Sequence, residues 1–223
     1  MGSAAPEVVR AWRCFDEAVG HIPILVLGNY YIGPMFLGPA HPLPVWEGNT
    51  PDAFRGHLYY LAEVEATFSD KHIRALDDLT LHSMAQIGQS PFGLTHELLE
   101  SEFAAARDLA GEGCAILQAI DVAALPPHEQ REVEEQQAIG EYLYQTFRTT
   151  FNTLKFIRCK AEGVARSTLQ EIARDELGNT RGARRVYETA PWLNHALRLD
   201  IGVPDSIGRV EEKIRLLEEF TAS

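Results

Sequence analysis

Apolar residues along most of this chain recur at spacings of three and four, the period of a helix with one buried face. Val8, Trp12, Phe15 and Val19 predict a first helix over 6–19, with Pro6 near its start and Gly20 past its end. The pattern is most pronounced over 52–84, where Phe54, Leu58, Leu61, Phe68, Leu76 and Leu79 share one stripe, entered through Thr50 as N-cap and Pro51 at the first helical position. A turn at 88–93 leads to a helix from about Thr95 to Ala110, with Leu94, Leu98, Ala105 and Leu109 inward. Gly111-Glu112-Gly113 is expected to end it, with a short helix over 113–120 to follow. Residues 128–161 carry the longest pattern, with Gly140, Leu143, Phe147, Thr150, Leu154, Ile157 and Ala161 on one face. The next helix, about 165–177, turns Ala165, Leu169, Ile172 and Ala173 inward, and Gly178-Asn179 reads as its left-handed C-cap. A short helix through Val186-Tyr187 follows, then one from Pro191, and a last one after Pro204-Asp205-Ser206 with Ile207, Val210, Ile214 and Leu217 inward. No segment alternates in the manner of a strand, so the expected fold is all-α: a single domain over 1–223, a bundle of about seven helices.

Residues 21–50 break the pattern. They hold four glycines and five prolines around the aromatic-rich run Asn29-Tyr30-Tyr31-Ile32-Gly33-Pro34-Met35-Phe36-Leu37. That density of helix breakers forbids a long helix, yet the segment is too apolar for a solvated linker. It is expected to pack irregularly on the helices, as a pocket lid or as an arm to a second subunit.

Composition narrows the partners. A chain of 223 residues with 45% hydrophobic content can bury one full core. Its net charge of −12 repels nucleic-acid phosphates and anionic membrane surfaces, so no nucleic acid and no membrane is the expectation. The run Ile22–Leu27 is far short of the roughly 20 apolar residues that span a bilayer, and the first residues do not read as a secretory signal. The cytoplasm is the expected compartment. Cys14, Cys114 and Cys159 are isolated, which suits small core residues better than a disulfide framework or a zinc site.

Charge on the buried stripes marks the candidate site. Glu65 and His72 fall on the 52–84 stripe, Glu176 joins the inward face of its helix, and His57 and His82 lie near the edges of the central stripe. A buried carboxylate or imidazole needs a partner, because leaving it alone in apolar surroundings costs several kcal/mol. Glu65 and His72 are separated by about 10.5 Å of helical rise, too far for one metal ion without help from another helix. The plainer reading pairs Glu65 with an arginine such as Arg158 or Arg166 and hydrogen-bonds His72 in the core. Arg148, Lys155 and Arg158 flank the apolar face of 128–161, either to reach an anionic group or as cations snorkelling to the surface. His96 and Glu100 have ligand spacing but lie opposite the leucines, as a solvated pair would. A phosphate-binding glycine loop, a dinucleotide fingerprint, a nucleophile elbow and the paired Glu-x-x-His of di-iron bundles are missing from the sequence.

Two stretches, His41-Pro42-Leu43-Pro44-Val45-Trp46 through Phe54-Arg55 and Leu169-Gln170-Glu171-Ile172-Ala173-Arg174-Asp175-Glu176-Leu177-Gly178-Asn179, resemble the heme-oxygenase-like helical superfamily of thiaminase-type enzymes, pyrroloquinoline-quinone synthase and non-heme di-iron oxidases. The resemblance implies a helical fold and makes Glu176 the counterpart of an iron-ligating glutamate. In the oxidase branch a histidine follows about two turns later, whereas Thr180-Arg181-Gly182-Ala183-Arg184-Arg185 contains none. What the resemblance implies for this chain is therefore a metal site lost or rearranged.

The function expected from these features is a small-molecule tailoring enzyme that works on a hydrophobic metabolite between helices, by cofactor-free acid/base cyclisation or isomerisation. Glu65 or Glu176 would act as acid or base with His72 as partner, and Tyr30, Tyr31, His57 and Arg158 would contact substrate. Iron-dependent oxidation, with Glu65, His72 and Glu176 as ligands, is one alternative. The other is a non-enzymatic homodimer whose 21–50 segment and last helix form the interface.

Overall fold

The computed structural model describes residues 2–22, 38–46, 51, 54, 96–196 and 206–223. Those residues form helices, with no strand among them: α1 (Ala5–Gly20), α2 (His96–Gln118), α3 (Pro127–Ala161), α4 (Arg166–Thr189), α5 (Pro191–Ala196) and α6 (Ser206–Ala222). The expected all-α class is what is found. α1 packs on α2, α2 on α3, α3 on α4 and α4 on α6, while a 3-10 turn at Gly38–Ala40 lies against α3, α4 and α6. No described helix is long and apolar enough to cross a membrane.

Two glycine-based stops expected from the sequence are helix interior instead. α2 runs through Gly111 and Gly113, because these glycines let neighbouring helices approach closely. A Cβ on Gly113 would stand 2.9 Å from the Ala11 carbonyl oxygen of α1, and one on Gly111 would stand 3.1 Å from the Tyr144 ring of α3. α4 likewise runs through Gly178-Asn179, since Asn179 is buried and spends its amide on α3. The left-handed glycine stop lies instead at Gly163, φ 67°, after α3. There Val164 N–H donates to Cys159 O at 3.1 Å and Gly163 N–H to Lys160 O at 3.1 Å, the paired bonds of a Schellman cap.

The inward faces are also displaced in places. On α1 the buried stripe is Val8, Ala11, Phe15 and Ala18, while Trp12 and Val19 face outward and the Trp12 indole donates to Gln136 Oε1 at 2.7 Å. On α2 Phe103, Ala106, Ala110 and Leu117 are buried and Leu98 is exposed. The long face of α3 is largely as expected, with Phe147, Leu154 and Ile157 buried, but Ala161 is exposed at its end. Cys159 is a buried core residue, whereas Cys14 and Cys114 are partly exposed, and burial pushes the Cys114 thiol up to about 11.

Three apolar clusters result. The first joins α1, α2 and α3 around Phe15, Phe103, Leu117 and Phe147. The second gathers Ala40, Ala183, Val186, Tyr187, Leu193 and Val210, with Tyr142, Ile207 and Ile214 packed on it. The third gathers Leu43, Phe156, Cys159, Ile172, Leu177 and Leu217. The apolar face of the last helix is thus used within the chain, on α4 and the 38–46 segment. Phe54, expected inward, is fully buried and stacks on Trp46 with ring centroids 6.0 Å apart.

Candidate functional site

Between the second and third clusters lies a polar layer. Along α4 the order is Ile172, Ala173 and Leu177, then Glu176, Asn179 and Thr180, then Ala183, Val186 and Tyr187. α6 repeats it with Lys213 between Val210 and Leu217, and α3 with Gln145, Thr149 and Asn152 between Tyr142 and Phe156.

Glu176 is 0% exposed and Lys213 1%. Lys213 Nζ donates to Glu176 Oε1 at 2.5 Å and to the Pro39 carbonyl oxygen at 2.9 Å. Thr149 Oγ1 donates to the same Glu176 Oε1 at 2.6 Å, and Asn152 Nδ2 to Oε2 at 2.8 Å. Both carboxylate oxygens therefore have short, charge-assisted partners, which is the condition for a buried ion pair to persist. Burial pulls the Lys213 ammonium below the usual lysine range, and the Glu176 carboxylate opposes that pull.

The layer extends outward in two directions. Asn152 Nδ2 also donates to Asp175 Oδ2 at 2.8 Å, so one amide bridges neighbouring carboxylates, and Arg148 grips Asp175 with Nε at 3.1 Å and through its terminal nitrogen. Burial raises the Asp175 carboxyl, but the hydrogen bonds from Arg148 and Asn152 outweigh it and leave the group below its ordinary value. In the other direction Asn179 Nδ2 donates to Thr149 Oγ1 and to the main-chain carbonyl oxygen of Gln145, each at 3.0 Å, and Gln145 Nε2 donates to Glu141 Oε1 at 3.1 Å. Gln145 Oε1, Asn179 Oδ1 and Thr153 Oγ1 are buried with no partner among the described residues.

Of the candidate residues taken from the sequence, Glu176 lies at the centre of this layer. Glu65, His72, His57, Tyr30 and Tyr31 lie outside the described residues, as does His82. Arg158 is engaged elsewhere: its Nε donates to Glu100 Oε2 at 2.6 Å and Nη1 to Glu162 Oε2 at 2.9 Å. Glu100 is thus tied across to α3 rather than standing in solvent. Arg148 and Lys155 also find protein partners, Asp175 for the first and the Phe151 ring at 5.6 Å for the second.

Lys213, Thr149 and Asn152 are not singled out by the sequence, and Asn179 is read there only as a helix stop, although a signal exists. Thr146, Thr149, Thr150 and Thr153 follow the three-and-four spacing of a buried face, so hydroxyls stand where α3 meets α4. Lys213 flanks the Ile207, Val210, Ile214 and Leu217 stripe read from the sequence, where a long side chain ordinarily leads its charge to water, whereas the buried face of α6 is centred on Val210, Lys213 and Leu217.

Among the described residues, Glu176 is engaged by protein donors, and the other candidate ligands, Glu65 and His72, lie outside them. The Lys213 ammonium stands where a cation ligated by Oε1 would sit, and no group of three His, Cys, Asp or Glu side chains among the described residues is placed to hold a metal ion. The chain matches no family model, no curated protein and no solved structure.

Proposed function

We propose that this protein is a small-molecule enzyme of the cofactor-free acid/base class, acting on a hydrophobic metabolite, with the Lys213–Glu176 pair as its proton-handling unit. The supporting observation is a fully buried lysine, pulled toward its neutral form, held against a carboxylate inside an apolar core. A depressed lysine pKa brings proton uptake closer to neutral pH, which is how buried lysines serve as bases. The orphan acceptors Gln145 Oε1 and Asn179 Oδ1 offer hydrogen-bond capacity to a bound molecule, since buried polar atoms are rarely left unsatisfied. Residues 38–46 form the cover in this reading, because Lys213 holds the Pro39 carbonyl.

The test is an incubation of purified protein with a metabolite extract from the cells that produce it, followed by mass spectrometry. Consumption of a metabolite by the native protein, lost in a folded Lys213→Met, Glu176→Gln variant, is the expected result. No consumption by the native protein, or equal consumption by the variant, rejects the reading.

A second reading has its own observation. Both Glu176 oxygens and Lys213 Nζ are already hydrogen-bonded, as in a clamp that fixes α6 and the 38–46 segment to α4. The chain would then be a non-enzymatic helical partner protein, and the double variant would keep its biological role.

A further inference from the structure

α1 carries two stripes. Val8, Ala11, Phe15 and Ala18 are buried in the first apolar cluster. Along the other side run Ala5, Val9, Trp12, Asp16 and Val19, spaced four, three, four and three, which is the spacing of a seam between two helices. Val9 and Val19 are 52% and 50% exposed, and Trp12 is 37% exposed. The Trp12 indole N–H is spent on Gln136 Oε1 and its ring stands edge-on to Phe15, so the side chain is fixed in place with part of its ring in solvent.

The two ends of this outward face complement each other. Near the start of α1 a shallow hollow lies between Ala5, Pro6, Val9 and Arg13. Near its end Val19 projects beside Gly20, where an added Cβ would meet nothing within 4 Å. Hollow and projection are separated by about 15 Å along the helix, the rise from Val9 to Val19. A copy of α1 running antiparallel therefore sets Val19 of each chain over Val9 and the hollow of the other. The charges agree with that direction. Arg13 and Asp16 flank the midpoint of the face, both are exposed, and neither forms an ion pair among the described residues. Two parallel copies would set like charge against like, whereas two antiparallel copies bring each Arg13 to the other chain's Asp16. The acid that interrupts the apolar seam thereby gains a cation.

We propose that this protein forms a two-fold symmetric homodimer through the outward face of α1, the two helices antiparallel and crossing midway between Trp12 and Asp16. A second copy suits this face because both halves of every contact lie on the same chain, as an isologous interface requires. The last helix does not serve, since its apolar face is used within the chain. One pair of helices of this length buries less surface than a permanent dimer, so the association is expected to be micromolar. It stands or falls independently of the acid/base reading.

The test is sedimentation equilibrium of the full chain as its concentration is raised over two orders of magnitude, and a shift from the mass of one chain to that of two is expected. Val19→Asp should weaken association at least tenfold, because it sets a charge into the hollow of the other copy. Arg13→Glu and Asp16→Arg should each be monomeric alone and should pair when mixed one to one. The combined Arg13→Glu, Asp16→Arg chain should associate as the native chain does. These positions are exposed, so circular dichroism should show native helicity in every variant. A native chain that stays monomeric leaves the face to another segment of the chain or to a different protein, and overturns the proposal. A dimer indifferent to Val19→Asp, or charge variants that associate as well alone as mixed, would place the interface elsewhere and overturn it too.

Discussion

Lys213 of the last helix meets Glu176 of α4 at 2.5 Å with neither side chain in contact with solvent, and the same ammonium holds the carbonyl of Pro39. One charged pair thereby ties three separate parts of the chain together. Taking two charges out of water costs several kcal/mol per ion, so the pair persists only because Thr149 and Asn152 complete the carboxylate.

Removing one partner should therefore cost more than removing both. Lys213→Met leaves Glu176 buried without its counter-charge and is expected to lower stability by about 3–5 kcal/mol. Lys213→Met combined with Glu176→Gln should recover most of that loss. Urea unfolding of the two single variants and the double variant gives the coupling directly. Additive losses would mean that the two side chains do not interact in the folded protein.

The interior glycines should respond in opposite directions. Gly178 has no neighbour within 4 Å of an added Cβ, so Gly178→Ala should stabilise α4 by about 0.5–1 kcal/mol through helix propensity alone. At Gly113 an added Cβ would stand 2.9 Å from a backbone oxygen of α1 that cannot rotate away, and Gly113→Ala should destabilise by about 1–3 kcal/mol. Midpoints of chemical unfolding for the two variants check the pair.

Asp175 should contribute to acid sensitivity. Its pKa is held down in the folded state by Arg148 and Asn152, so its contribution is present above the unfolded carboxyl pKa, near 3.8, and is lost as pH falls through the lower folded value. Asp175→Asn should lower stability at pH 7 and flatten the fall in stability below pH 4. Unfolding midpoints measured between pH 2 and 7 would show this, and an unchanged acid limb would contradict it.

The helical class and the long helix of α3 could be read from periodicity alone, because Phe147, Leu154 and Ile157 repeat at helical spacing and are buried as that spacing requires. Helix ends were less legible. Gly111, Gly113 and Gly178 have the local chemistry of stops, and only the crossing of α1, α2 and α3 and the burial of Asn179 show why the helices continue. Glu176 was legible as an inward acid on an apolar stripe. Its partner was not, because Lys213 falls beside the apolar stripe that the sequence shows, 37 residues away, and periodicity does not report which helices become neighbours.

The titration of Lys213 tests the account most directly. With the lysine side chains labelled with 15N, the Nζ resonance of Lys213, assigned by its loss in Lys213→Met, is followed with pH. A midpoint below the ordinary lysine value of 10.5 is predicted, together with a shift to still lower pH in Glu176→Gln, where the opposing carboxylate charge is gone. A midpoint at or above 10.5, unmoved by Glu176→Gln, would contradict both the burial of the ammonium and its pairing.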